Sequence, residues 1–331
     1  PSEHFNTVLY TGTNATQSIS VGFQPDFLWT KERTEATYPG LRNSVTGVTK
    51  SLSSAMTNAE YTETNGVTAF TSTGFNLSGD GYFYVNRTGK TMVGWSWKAG
   101  GTASSNTDGS ITSSVSANPT AGFSIVAYTS PGTSSDGTVG HGLSQAPELV
   151  IVKNRDSAYN WDVWNTALSS GYDLILNTDA AQTSGRWSTT IPTASLVSLK
   201  DTYEVNGTDK YIAYCFHSVE GYSKVGSYKG NGSTDGSFIY TGMTPSFIMV
   251  KRTDSADNWA IYDSARDTYN VRAKYLIADA AQAEATYSTA VVDFLSNGFK
   301  WRGAVNFGNN SSGTYIYLAF AESPFKTANA R

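Results

Sequence analysis

One phrase occurs three times along the chain and constrains its fold more than any other feature. It reads GFQPDFLWTKER from Gly22 to Arg33, GLSQAPELVIVKNR from Gly142 to Arg155, and GMTPSFIMVKR from Gly242 to Arg252. Each copy is a glycine, a proline, four or five apolar residues, then Lys and Arg. An aromatic closing strand follows some seventy residues later: GWSWKA (94–99), AYCFHS (213–218) and YLAFAE (317–322). A fixed internal period means that each unit folds to a similar plan. It also argues against a single catalytic centre spread along the chain and for a binding or scaffolding surface.

Composition places the units in the all-β class. Aromatics reach 13%, led by 20 Tyr and 8 Trp, in a chain punctuated by glycine and rich in Thr. Such chains form pleated, half-buried surfaces. Only 15% of the 331 residues are charged, and the net charge is −4. That surface gives no electrostatic reason to bind nucleic acid or an acidic membrane. The lone Cys215 excludes an intrachain disulfide and reads as a small buried hydrophobe. There is no run of 18 apolar residues, so no membrane insertion is expected, and no secretory-signal pattern is read in the residues from Pro1 onward.

Alternation is clear in FNTVLYTG (5–12), QSISVGF (17–23) and VTAFTSTGFNLS (67–78), while DFLWTK (26–31) is the continuous run of a strand buried on both faces. Turn signals separate these segments at Tyr38-Pro39-Gly40, Asn65-Gly66 and Gly79-Asp80-Gly81. The expected organisation is three tandem β-sandwich, jelly-roll-like modules: residues 1–99, then a Gly/Ser/Thr-rich linker at 100–122, then 123–218 and 219–331. Within the linker, ITSSVSA has the pattern of an edge strand. Units two and three share a short junction and matched middles, so they are expected to pack as a rigid pair. The DAAQ segments (179–182 and 279–282) are each expected to make one short turn, and AAQAEA (280–285) is the best helical stretch.

The matched middles carry an Asn-Trp element: Asn160-Trp161-Asp162-x-Trp164 and Asn258-Trp259-x-x-Tyr262-Asp263. An aromatic ring beside amide and carboxylate is what a sugar requires, the ring covering its C–H face and the polar groups its hydroxyls. Trp161, Asp162, Trp164, Trp259, Tyr262 and Asp263 are therefore candidate glycan contacts. The competing reading makes the same aromatics inward-facing sandwich residues at period 2. The strand-end cations Lys31, Arg33, Lys153, Arg155, Lys251 and Arg252 read as partners of local acids more than as an anion site. His4, His141 and His217 lack zinc-ligand spacing, Asp254 and Asp257 lack the oxygen ladder of a calcium loop, and no GxSxG elbow is present. No metal, cofactor or catalytic residue is expected. Carboxylate pairs for a glycosidase exist among Asp156 and Asp162 and among Asp254, Asp257, Asp263 and Asp267, but 27 acids offer such pairs by composition. The Asn-x-Ser/Thr matches at Asn14, Asn76, Asn86, Asn206 and Asn231 follow from composition as well.

The phrases HFNTVLYTG, VGFQPDFLWTK, GWSWKAGGTASSNTDGSITSSVSANPTAGFSIVAY, YIAYCFHSVEGYSKVGSYKGNGS and DFLSNGFK…YIYLAFAESPFK together resemble a repeat family of tail-fibre-type virion proteins of marine bacteriophages, over essentially the whole chain. The resemblance implies a non-enzymatic virion structural protein, assembled in the host cytoplasm and exposed on the particle. It would be a tail fibre or fibre-like component contacting host-surface glycan or receptor, with other virion proteins as partners and a homotrimer as the usual assembly. A capsid decoration or fibre-attachment protein and a polysaccharide-degrading tailspike are the alternatives. Unit one departs from the pattern, with TKERTEATYPGLRNSV in place of KNRDSAYNWDVWN.

Overall fold

The computed structural model describes residues 3–132, 135–289 and 291–321, so the last residue of YLAFAE and everything after it lie outside the described part. The chain is nearly all β, in many antiparallel sheets with no closed barrel. Each unit builds the same pair of sheets. The inner sheet runs from an opening strand (Phe5–Thr11, Phe123–Thr129, Ser223–Lys229) to the closing strand (Thr91–Trp97, Lys210–Phe216, Thr314–Ala321). It continues through the scaffold strand of the repeated phrase (Phe27–Glu32, Leu149–Asn154, Pro245–Arg252) to a fourth strand (Gly40–Asn43, Trp161–Asn165, Ala260–Asp263). The outer sheet pairs a second strand (Gln17–Ser20, Gly137–Gly140, Phe238–Tyr240) with a late one (Gly74–Ser78, Leu196–Leu199, Gly298–Trp301).

The repeated phrase is apolar throughout because its strand serves two cores at once. Successive side chains point to opposite faces. Leu28 enters the sandwich core of unit one, Val150 and Val152 that of unit two, and Ile248 and Val250 that of unit three. The intervening residues, Phe27 and Trp29, Leu149 and Ile151, Phe247 and Met249, all enter one further core shared by the three units. The glycine that opens each phrase is also accounted for. Gly22, Gly142 and Gly242 have φ of 93°, 71° and 75°, a left-handed turn that a Cβ disfavours.

The shared core changes the expected organisation. A loosely tethered first module beside a rigid pair is replaced by three inner sheets facing one another, with rings crossing every seam. Phe5 stacks on Phe320 at 4.7 Å, Phe27 lies 4.3 Å from Tyr214, and Phe216 lies 6.3 Å from Phe320, measured between ring centroids. Two hollows of about 10 Å³ each lie between the sheets, one walled by apolar side chains including Trp29, Ile151 and Met249 and one by Leu149, Trp259 and Leu318 among others, both too small for a ligand.

The 100–122 segment is not a linker. Its Ser113–Asn118 strand adds to the edge of Phe123–Thr129, and Ser104–Asn106 adds outside that, so unit two has an eight-stranded sheet. The equivalent edges in units one and three carry no such cover among the described residues. The DAAQ segments and AAQAEA form no helix, and the one helical turn described is Asn306–Asn309. Among the described residues no helix is long and apolar enough to cross a membrane.

The shared core predicts one unfolding transition for the whole chain. Trp161→Ala, which empties a fully buried indole, is expected to cost about 3–5 kcal/mol and to lower that single transition without splitting it. Calorimetry that showed units two and three melting while unit one kept its original transition would contradict the fused core.

Candidate functional site

The expected glycan contacts do not face solvent, and this corrects the sequence reading. Trp161, Asp162 and Tyr262 are 0% exposed, Asp263 1%, Trp259 2% and Trp164 5%. No sugar reaches rings or carboxylates so placed. Trp161 and Trp259 instead lie on the shared-core face and bind neighbouring units. The Trp161 indole N–H donates to the Ser53 carbonyl of unit one at 2.8 Å, and that of Trp259 donates to the Ile175 carbonyl of unit two at 2.9 Å. Trp164 and Tyr262 occupy the opposite face and fill their own sandwiches, Trp164 beside Trp187 and Tyr262 beside Trp301.

The two acids are equally committed. Asp263 accepts from the Arg266 guanidinium at 2.5 Å and from the Trp95 indole at 3.1 Å, tying unit three to unit one. Asp162 meets a second buried carboxylate, Asp173, across one arginine. Arg186 donates through Nε to Asp162 at 2.8 Å and through a terminal nitrogen to Asp173 at 2.5 Å. Burial raises the pKa of both carboxyls. For Asp162 the nearby Asp173 raises it further, and Arg186 opposes the rise at each. The two acids share one cation and have no cleft between them, unlike the separated carboxylates of a glycosidase. The other acids considered for that chemistry are also engaged: Asp254 by Arg252, Asp267 by the amides of Ala273 and Lys274, and Asp156 by the Lys210 amide.

Of the six strand-end cations, only Arg252 forms the expected local ion pair. Lys31, Lys153 and Lys251 follow the shared-core residues on the same face and are fully buried. Their ammonium groups donate to backbone carbonyls, among them Thr37 for Lys31, Asn154 for Lys153 and Asp179 of unit two for Lys251. Burial, the dominant cause, lowers them to about 8, 7 and 8 respectively. The arginines reach across seams: Arg33 chelates Glu284 with contacts of 2.9 and 2.8 Å, and Arg155 chelates Glu60 with two of 2.8 Å. Only Arg252 pairs locally, with Asp254. Pairs separated by 251 and 95 residues leave no signal in sequence spacing.

The seams close a ring. Glu60 donates its amide to the Arg155 carbonyl, Gln182 to that of Thr253, and Glu284 to that of Arg33, at 2.8, 2.9 and 2.9 Å. Unit one thus bonds unit two, unit two bonds unit three, and unit three bonds unit one. Head-to-tail contacts of one kind that close after three steps form a threefold ring, and here one chain supplies it.

Exposed aromatic side chains occur around the ring, Tyr269 and Tyr240 among them at 82 and 66% exposure. The register places the ends of the described chain, near Phe5 and Ala321, at one pole, and Thr11, Thr129 and Lys229 at the other. At that second pole Tyr38, Tyr82, Tyr84 and Tyr203 are 44, 54, 43 and 62% exposed. The sequence reading missed them because exposed tyrosines in turns look like any other turn. Two of the Asn-x-Thr matches, Asn86 and Asn206, are 0% exposed and pin the loop after each opening strand. Asn309 does the same in unit three. Among the described residues no group of three or more His, Cys, Asp or Glu is placed to hold a metal ion. Cys215 is buried, its thiol pushed up to about 12 by burial.

The carboxylate pair carries a sign-defined test. A carboxyl with a raised folded-state pKa stabilises fully below the unfolded value of about 3.9, and the contribution is lost as pH rises through the folded value. Asp173→Asn removes one such group while keeping its shape, so its melting temperature is expected to decline less than that of the wild type between pH 4 and 8. An equal or steeper decline would show that the pair is not protonated on folding.

No curated protein matches the chain, and no solved structure does. One family model spans all three units, in keeping with their fusion into one body. With residues 1–324 matched, the chain belongs to the family described as Domain of unknown function (DUF7483).

Proposed function

We propose that the chain is a non-enzymatic bacteriophage virion component, a fibre-like module that displays one pole of a rigid ring to host-surface glycan or receptor. The observation that carries this reading is a group of four exposed tyrosines, Tyr38, Tyr82, Tyr84 and Tyr203, on loops at one pole, with Tyr172, Tyr240 and Tyr269 exposed outside that group. A tyrosine ring offers an apolar face for sugar C–H groups and a hydroxyl for its polar edge, with little conformational entropy to lose. The phrase-level resemblance to phage tail-fibre-type proteins supplies the setting. The engaged carboxylates favour binding over hydrolysis. The absence of an intrachain disulfide suits a chain that folds in a reducing host cytoplasm before assembly.

A second reading, an attachment or decoration protein gripping neighbouring virion subunits, is favoured by one feature. The opening strand of unit one, FNTVLYT, ends its sheet without charge, proline or bulge. The same edge is covered by Ser113–Asn118 in unit two and carries Lys224, Lys229 and a Ser218 hydroxyl cap in unit three. An unprotected edge is a pairing site. The homotrimer rests on the resemblance alone, since the internal repetition is already used within one chain.

Localisation in purified particles tests the reading. The chain is expected on the particle surface with its tyrosine pole outward, and its absence from the virion would overturn the proposal. On a glycan array, Tyr82→Ala with Tyr203→Ala is expected to weaken binding about tenfold, the loss of roughly 1.4 kcal/mol of ring contact. Reducing ends should not appear on the bound glycan, and their release would favour the tailspike instead.

A further inference from the structure

The three seams are built alike but not finished alike. Arg155 and Glu60 close the first, and Arg33 and Glu284 close the seam between units three and one, where Arg266 adds a second cation on Glu284 at 3.2 Å. At the seam between units two and three the corresponding residues are Thr253 and Gln182, held by the same backbone bond but with no ion pair between their side chains. A groove of about 280 Å³ lies there, lined from unit two by Ala167, Ser169 and Gln182 and from unit three by Ser227, Thr253, Thr314 and Ile316, with Lys229 alongside. The nearest counterpart, about 240 Å³, is lined by unit two alone and includes Arg155, which is already bound to Glu60.

We propose that this groove is a binding site for a single neutral sugar ring. Gln182 lines the groove, and its Oε1 accepts no hydrogen bond from the protein, so a turn of the amide presents a free acceptor to a ligand hydroxyl. The hydroxyls of Ser169 and Ser227 complete a neutral donor–acceptor set, and Ile316 and Ala167 supply apolar wall for the C–H face of a pyranose. Thr314 is fixed in place, its amide donating to Asp254 at 2.8 Å and its hydroxyl sharing a 2.7 Å bond with Thr253. One rim lysine and no lining carboxylate make the site a poor match for an anion cluster or a basic peptide. The groove runs beside the top of the unit-three opening strand, where Lys229 pairs with Thr314. The proposal deepens the receptor-contact reading by naming a site and a ligand class, and it rests on that reading only for its biological setting.

The ring's own symmetry supplies the test. Gln182→Glu with Thr253→Arg transplants the pair that closes the other two seams and should fill the groove without disturbing the fold. Ser227→Tyr, at an exposed strand position, blocks it from the other side should the double variant fold poorly. D-glucose, D-galactose and N-acetylglucosamine are the probes, read by saturation-transfer NMR and titration. At least one is expected to bind the wild type with a millimolar dissociation constant, and both variants should weaken it at least tenfold. No saturation transfer from any of the three, or binding unchanged in Ser227→Tyr, would overturn the site. Either result would leave the virion localisation standing, whereas a chain that binds sugar here but is missing from particles would sink the functional reading and keep the groove.

Discussion

Everything in this molecule depends on the double burial of the scaffold strand. One strand in each unit must satisfy an outer sheet with one set of side chains and two foreign units with the other. Phe27, Trp29, Leu149, Ile151, Phe247 and Met249 therefore lie in a core that belongs to no single unit. A fully buried side chain of this size contributes about 1.5–3 kcal/mol relative to exposure. None of that contribution is available to a unit standing alone, which would expose the inner face of its largest sheet.

Closure of the ring follows from that constraint, and the polar groups at the seams answer to it. Three of the indoles buried between units find acceptors across a seam: Trp161 and Trp259 donate to carbonyls of the preceding unit, and Trp95 to Asp263, while the indole N–H groups of Trp29 and Trp97 have no protein acceptor. The three lysines that end the shared-core face donate to carbonyls, and arginines just beyond them reach glutamates across two of the seams. The interior is thereby given over to structure, and the seam between units two and three, where Thr253 and Gln182 stand, lacks the ionic closure of the other two.

Much of the fold was legible in the sequence, and the candidate site was not. Strand positions such as Phe5–Thr11 and Phe27–Glu32, the all-β class and the threefold plan follow from alternation and repetition, which are local signals. The Asn-Trp element misled because a tryptophan flanked by Asn and Asp looks the same whether its polar neighbours greet a sugar or a buried arginine. Arg186, which binds Asp162, lies 24 residues along the chain, and Ser53, which accepts from Trp161, lies 108 residues away. The 100–122 segment read as a linker because serine and threonine at an edge position serve a strand as well as a coil. The AAQAEA segment had helical propensity, and seam contacts made through Glu284 overrode it.

Native-state hydrogen exchange across the three closing strands tests the fused core most directly. Amides in Trp95–Trp97, Tyr214–Phe216 and Leu318–Phe320 should open only with global unfolding, at one common free energy and with one denaturant dependence. A closing strand of unit one that exchanged at a distinctly lower free energy than the other two would contradict the shared core and restore a chain of separable modules.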